Sequence, residues 1–110
     1  MNTKELLRQK LDREHAEFEA NTLKLEPQQI YNDWYTIMFY ESYYEFIAYC
    51  CDTDEFALDD VIEWLNTFKT PLAFLYDEWL GYDGHFSGGW DDMCQWLKDL
   101  YYEVTKYENE

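Results

Sequence analysis

Apolar residues recur along most of this chain at intervals of three and four, with charged and polar residues between them, which is the period of amphipathic helices. From about Thr3 to Asn21, Leu7, Leu11 and Phe18 mark one face among charges of both signs, predicting a first helix. Asn21 to Glu26 reads as a connector. Pro27 suits the first position of a second helix, because an amide proton there would have no helical partner. That helix is predicted to reach Cys51, about 25 residues and roughly 37 Å at the helical rise. Its apolar and aromatic residues, from Ile30, Tyr31 and Trp34 through Phe39 and Tyr43 to Phe46, Ile47 and Tyr49, surround the axis, as expected of a central helix packed on several sides. An internal break is compatible with this length. Tyr35 to Phe39 could also be written as a strand, but the absence of turn residues favours helix.

Asp52, Thr53 or Asp54 is positioned to cap a third helix running to about Phe68, with Leu58, Val61, Leu65 and Phe68 inward. Thr70 and Pro71 start a fourth, which carries Leu72, Leu75 and Trp79 and stops at Gly81. All four glycines fall between Gly81 and Gly89, predicting a loop. A final helix from about Trp90 presents Trp90, Met93, Leu97, Leu100, Tyr101 and Val104 to a core. The expected fold is therefore all-α, a compact bundle of about five helices in one domain, with no repeats or low-complexity tracts.

Length agrees with that picture, since 110 residues suffice for one core. The net charge of −16 alone would suggest disorder, but 47% hydrophobic and 21% aromatic residues argue for a folded chain. The first residues, MNTKELLRQKLDREH, hold no apolar run, which predicts neither signal peptide nor membrane span and gives a bacterial cytoplasmic localisation as the expectation. Three cysteines without secretory context read as reduced thiols.

The charge is regional. Residues 1–24 carry five bases and five acids, whereas from Leu25 to Leu97 fifteen acids face a single base, Lys69. On one continuous third helix, Asp52, Glu55, Asp59 and Glu63 would share a face, with Asp60 beside them, at a cost of about 0.2–0.5 kcal/mol per like-charged pair. Asp77, Glu78, Asp83, Asp91 and Asp92 cluster around the glycine loop and could extend the surface. Carboxylates at such spacing can stand in for phosphates in a groove of Lys and Arg, and a negative field steers encounter with a basic protein. The expected partner is a basic nucleic-acid-binding protein, with no direct nucleic acid, no membrane and a monomer or weak dimer. A solvated face is the plain alternative.

Chemical motifs are weak. Cys50, Cys51, His85 and Cys94 make a candidate four-ligand zinc set, although adjacent cysteines on a helix diverge by about 100° and buried core thiols are the simpler reading. Asp12, His15 and Glu19 lie near one face of the first helix, read as a solvated face because the repeated Glu-x-x-His pattern of di-iron bundles is missing. GYDGHFSGG lacks the base and spacing of a phosphate loop, and DTDEFALDD lacks the central glycine of a calcium loop. With no nucleophile signature beside His85, the chain is not expected to be an enzyme. Eleven tyrosines suggest that some anchor a partner.

Three segments, KELLRQKLDREHAEFEA, EPQQIYNDWYTIMFYESYYEFI and TPLAFLYDEWLGYDG, together resemble a small all-helical bacterial domain family of unknown function found near mobile elements. Pro71, Leu72, Tyr76 and Trp79 match its Pro-Leu-x-x-x-Tyr-x-x-Trp helix, and the likeness spans residue 4 to about residue 99. In size, acidity and lack of catalytic motifs the chain also looks like anti-CRISPR and antirestriction inhibitors. That likeness implies a class of mechanism, an acidic surface that takes the place of nucleic acid; the leading expectation for the target is an RNA-guided nuclease whose access to nucleic acid is blocked. The competing expectation is a zinc-stabilised helical adaptor whose acidity is incidental.

Overall fold

The computed structural model describes residues 2–53, 55–81 and 89–108. Among the described residues there are six helices and no strand: α1 (Thr3–Leu23), α2 (Pro27–Asn32), α3 (Trp34–Asp52), α4 (Asp59–Leu65), α5 (Pro71–Leu80) and α6 (Trp90–Glu108). The all-helical expectation holds, and the helix count rises by one because the long second helix breaks.

Each start has a local cause. Asn2 Oδ1 accepts from the Glu5 amide at 2.8 Å and caps α1. Glu26 and Gln29 exchange a capping box at α2, with Pro27 at its first position as predicted. Asp33 leaves helical geometry (φ −98°, ψ 15°) and separates α2 from α3. The predicted third helix is shortened. α3 continues through Asp52, Thr53 turns extended, and Ala57 adopts φ 51°, a left-handed conformation that a Cβ disfavours, before α4 begins at Asp59. α5 and its end at Gly81 follow the sequence reading, and so does the start of α6.

α1 lies against α3, α4 and α5, and α6 packs on α4. Phe39, Phe46, Leu65, Leu72, Leu75 and Leu97 are wholly buried, joined from α1 by Leu7 and Leu11. Aromatic rings fill much of the remaining space. Phe39 meets Tyr43, Tyr76, Trp79 and Trp96; Phe46 meets Phe56 and Trp90; Trp64 meets Phe68, Phe74 and Tyr101. α3 is central only from Phe39 onward. Trp34 and Tyr35 remain exposed with Tyr31, because the chain bends at Asp33 before reaching the core.

The α4–α5 connection is held from outside by α1. Lys10 Nζ donates to the carbonyls of Asn66 and Phe68, just after α4. One turn further along α1, the buried carboxylate of Glu14 accepts from the amides of Leu72 and Ala73, each at 2.8 Å. Those amides belong to the first turn of α5, where the Thr70 side chain makes no cap, so Glu14 supplies it from another helix. Desolvation pushes the Glu14 carboxyl above its ordinary value, outweighing the two amide bonds that favour the anion, and nearby Glu17 adds to the rise.

Candidate functional site

The predicted carboxylate row does not lie on one helix. Asp52 ends α3, Glu55 sits in the following turn, and Asp59, Asp60 and Glu63 belong to α4. Several of these groups have intramolecular partners. Arg8 Nη1 donates to Asp52 at 2.6 Å while its Nε holds Asp12 at 3.1 Å. Lys4 approaches Asp59 at 3.5 Å and lines the same hollow as Glu63. The Tyr49 hydroxyl donates to Glu55, a bond that raises the phenol's pKa. A segment without bases in sequence is thus supplied with two from α1 in space.

Asp77 and Glu78 are exposed on α5, and Asp91 and Asp92 are exposed in the first turn of α6, where carboxylates also favour the helix dipole. Among these predicted contacts, Glu78 enters a built groove. Where the end of α5 meets α6, a hollow of about 470 Å³ is lined by Glu78, Gly81, Trp96, Asp99, Leu100, Tyr102 and Glu103. Three carboxylates and two aromatic side chains share this surface, with the Tyr102 side chain exposed and Asp99 Oδ1 accepting from Gln95 at 2.9 Å. Asp99 and Glu103 were not singled out from the sequence. The legible signal was the spacing of Trp96, Asp99, Leu100 and Glu103, which places all four on one face of α6.

Asp83 of the acidic cluster and His85 of the candidate zinc ligands lie outside the described residues. Cys50 and Cys94 are buried and near enough to interact, whereas the thiol of Cys51 is influenced by Asp52, Arg8 and Lys4 on the side towards α1. Burial, then the neighbouring thiols, pushes Cys50 up to about 12; burial, then Asp52, pushes Cys51 up to about 11. Both are protonated at neutral pH, and metal binding would have to displace those protons.

A different mixed cluster forms between α1 and α3. His15 Nε2 lies 3.0 Å from Glu41 Oε2 and 3.4 Å from Glu19 Oε1. The imidazole stacks on Tyr44 with centroids 3.9 Å apart and planes inclined by 4°, and the Tyr44 hydroxyl donates to Asp12 at 2.6 Å. Sequence spacing had joined Asp12, His15 and Glu19 as a solvated face; the structure adds Glu41, which only the packing of α3 on α1 could supply. Among the described residues, His15, Glu19 and Glu41 are the His, Cys, Asp or Glu side chains that converge as a group of three ligands.

No protein-family model matches the chain, and no curated protein or solved structure is significantly similar to it. Among the described residues, no helix is long and apolar enough to cross a membrane.

Proposed function

We propose that this chain is a binding protein for a basic partner and inhibits a nucleic-acid-binding protein by placing carboxylates where phosphates would sit. The observation that carries this reading is the α5–α6 groove, which Glu78, Asp99 and Glu103 line together with Trp96 and Tyr102. A Lys or Arg side chain entering it meets carboxylates for charge-assisted hydrogen bonds and rings for cation–π contact. The net charge of −16 steers such a partner from a distance. Tyr31, Trp34 and Tyr35, exposed around the α2–α3 bend, add aromatic area of the kind that anchors interfaces. An RNA-guided nuclease is the partner class that the acidity and compositional likeness favour, and catalysis has no place in this reading.

The test is capture of such a nuclease, with its guide, on immobilised protein at low and high salt, with target DNA as competitor. Binding that weakens with salt and excludes DNA supports the proposal. Replacing Glu78, Asp99 and Glu103 together by Lys should reduce affinity by more than about tenfold, or roughly 1.4 kcal/mol. Full retention of binding by this variant, with helicity intact, would remove the groove from the mechanism. The zinc adaptor rests on the nearness of Cys50 and Cys94, and metal analysis of protein purified without added metal tests it.

A further inference from the structure

We propose that His15, Glu19 and Glu41 form a binding site for a divalent transition-metal ion, specifically zinc, between α1 and α3. One imidazole nitrogen and one oxygen from each carboxylate lie within 4.8 Å of one another. Ligands about 2.0–2.2 Å from a tetrahedral zinc stand roughly 3.4 Å apart. The two His15 separations, 3.0 and 3.4 Å, are already close to that value, and the two carboxylate oxygens lie within 4.8 Å of each other, so a bound ion would draw Glu19 and Glu41 together. An imidazole with carboxylates is a donor set for a borderline ion such as zinc.

Two features outside the ligands favour an ion over a simple surface ion pair. The stack on Tyr44, itself tied to Asp12, fixes the plane of the imidazole and directs Nε2 at the carboxylates. A hollow of about 320 Å³, walled by Phe18, Thr22, Leu23 and Ile37, opens against Glu19 and Glu41. Three protein ligands leave a tetrahedral ion one position for water, which the hollow beside the two carboxylates can supply. A histidine cation alone would also offset the two carboxylates, but it would not bind zinc saturably.

The experiment titrates the full chain, stripped by a chelator, with zinc in competition with a chromophoric chelator. One ion per chain is expected. His15→Ala and Glu41→Gln should each weaken binding by more than about tenfold while circular dichroism shows helicity retained. Glu41 is substantially exposed, so its variant carries the test if His15→Ala fails to fold. Cobalt substitution should give visible bands of a nitrogen–oxygen site without intense near-ultraviolet thiolate charge transfer. Thiolate bands would assign the ion to the cysteines and overturn the proposal. Weak, unsaturable uptake, or affinity unchanged in both variants, would also overturn it.

Discussion

Replacement of Glu14 tests how one helix holds another in place. Its carboxylate accepts from two backbone amides of α5, one buried and one part-buried, at 2.8 Å each, and hydrogen bonds to a charged group contribute about 1.5–3 kcal/mol apiece. Against their sum of roughly 3–6 kcal/mol stands the cost of burying the anion, which is large enough to raise the carboxyl pKa above its ordinary value. Glu14→Ala relieves that cost but leaves both amides of the first turn of α5 without an acceptor, at about 1–3 kcal/mol each, so a loss of about 3 kcal/mol is expected. Glu14→Gln retains one acceptor but turns an NH2 group towards the second amide, for a loss of about 2 kcal/mol. Denaturant unfolding followed by far-ultraviolet circular dichroism and tryptophan fluorescence measures both. Losses on this scale are a large share of the roughly 5–15 kcal/mol typical of a domain. The pH dependence adds a second readout. With its folded pKa raised, Glu14 contributes stability that is fully present below the unfolded carboxyl pKa and lost as pH rises through the folded value. The protonated acid still offers two oxygens to the amides, which Gln cannot do. The gap between wild type and Glu14→Gln should therefore widen as pH falls from neutrality towards the ordinary carboxyl range. A Gln variant within about 0.5 kcal/mol of wild type at every pH would refute this role for the carboxylate.

Ala57→Gly should stabilise the chain by about 0.5–1 kcal/mol, since the residue sits at φ 51° and is exposed; a lower denaturation midpoint would contradict the strain. Cys50 and Cys51 should resist a thiol reagent in native protein at neutral pH and react on unfolding, because burial raises their pKa values to about 12 and about 11; rapid native labelling would contradict the protected thiols. Arg8→Ala should cost no more than about 1 kcal/mol despite two ion pairs, because Asp12 and Asp52 are solvent-exposed and salt screens them; unfolding at low and high salt checks the expected weak dependence.

The elements written by local chemistry were legible. Pro27 and Pro71 fixed two helix starts, Gly81 a stop, and Leu7, Leu11, Leu65, Leu72 and Leu97 reached the core faces that their spacing predicted. The hidden features depend on neighbours distant in sequence. A positive φ at Ala57 has no glycine to announce it, so the residues just before Asp59 read as the first turn of the third helix, and α4 is shorter than its sequence implies. Glu14 resembles any helical glutamate until α5 is placed beside it. Pro71, Leu72, Tyr76 and Trp79, read as a family-like motif, have direct packing roles: the first two are buried, Tyr76 pairs with Thr36 at 2.7 Å, and Trp79 meets Phe39 at 5.3 Å.

Charge along the chain and charge on the surface differ because α1 matches its groups to the helix ends it faces. Lys10 meets carbonyls just beyond α4, the electronegative end of a helix, and Glu14, four residues on, meets amides at the electropositive start of α5. Lys4 and Arg8 turn towards Asp59 and Asp52, which flank the break between α3 and α4. The balanced charge of the first 24 residues is therefore used within the fold, and it engages carboxylates that linear counting had assigned to a partner. Asp99 and Glu103, which lie beyond the base-poor stretch from Leu25 to Leu97, join Glu78 around the α5–α6 groove. An acidic surface able to receive a basic partner is better sought there than along α4, because attraction depends on the spatial arrangement of groups, which segment totals do not contain.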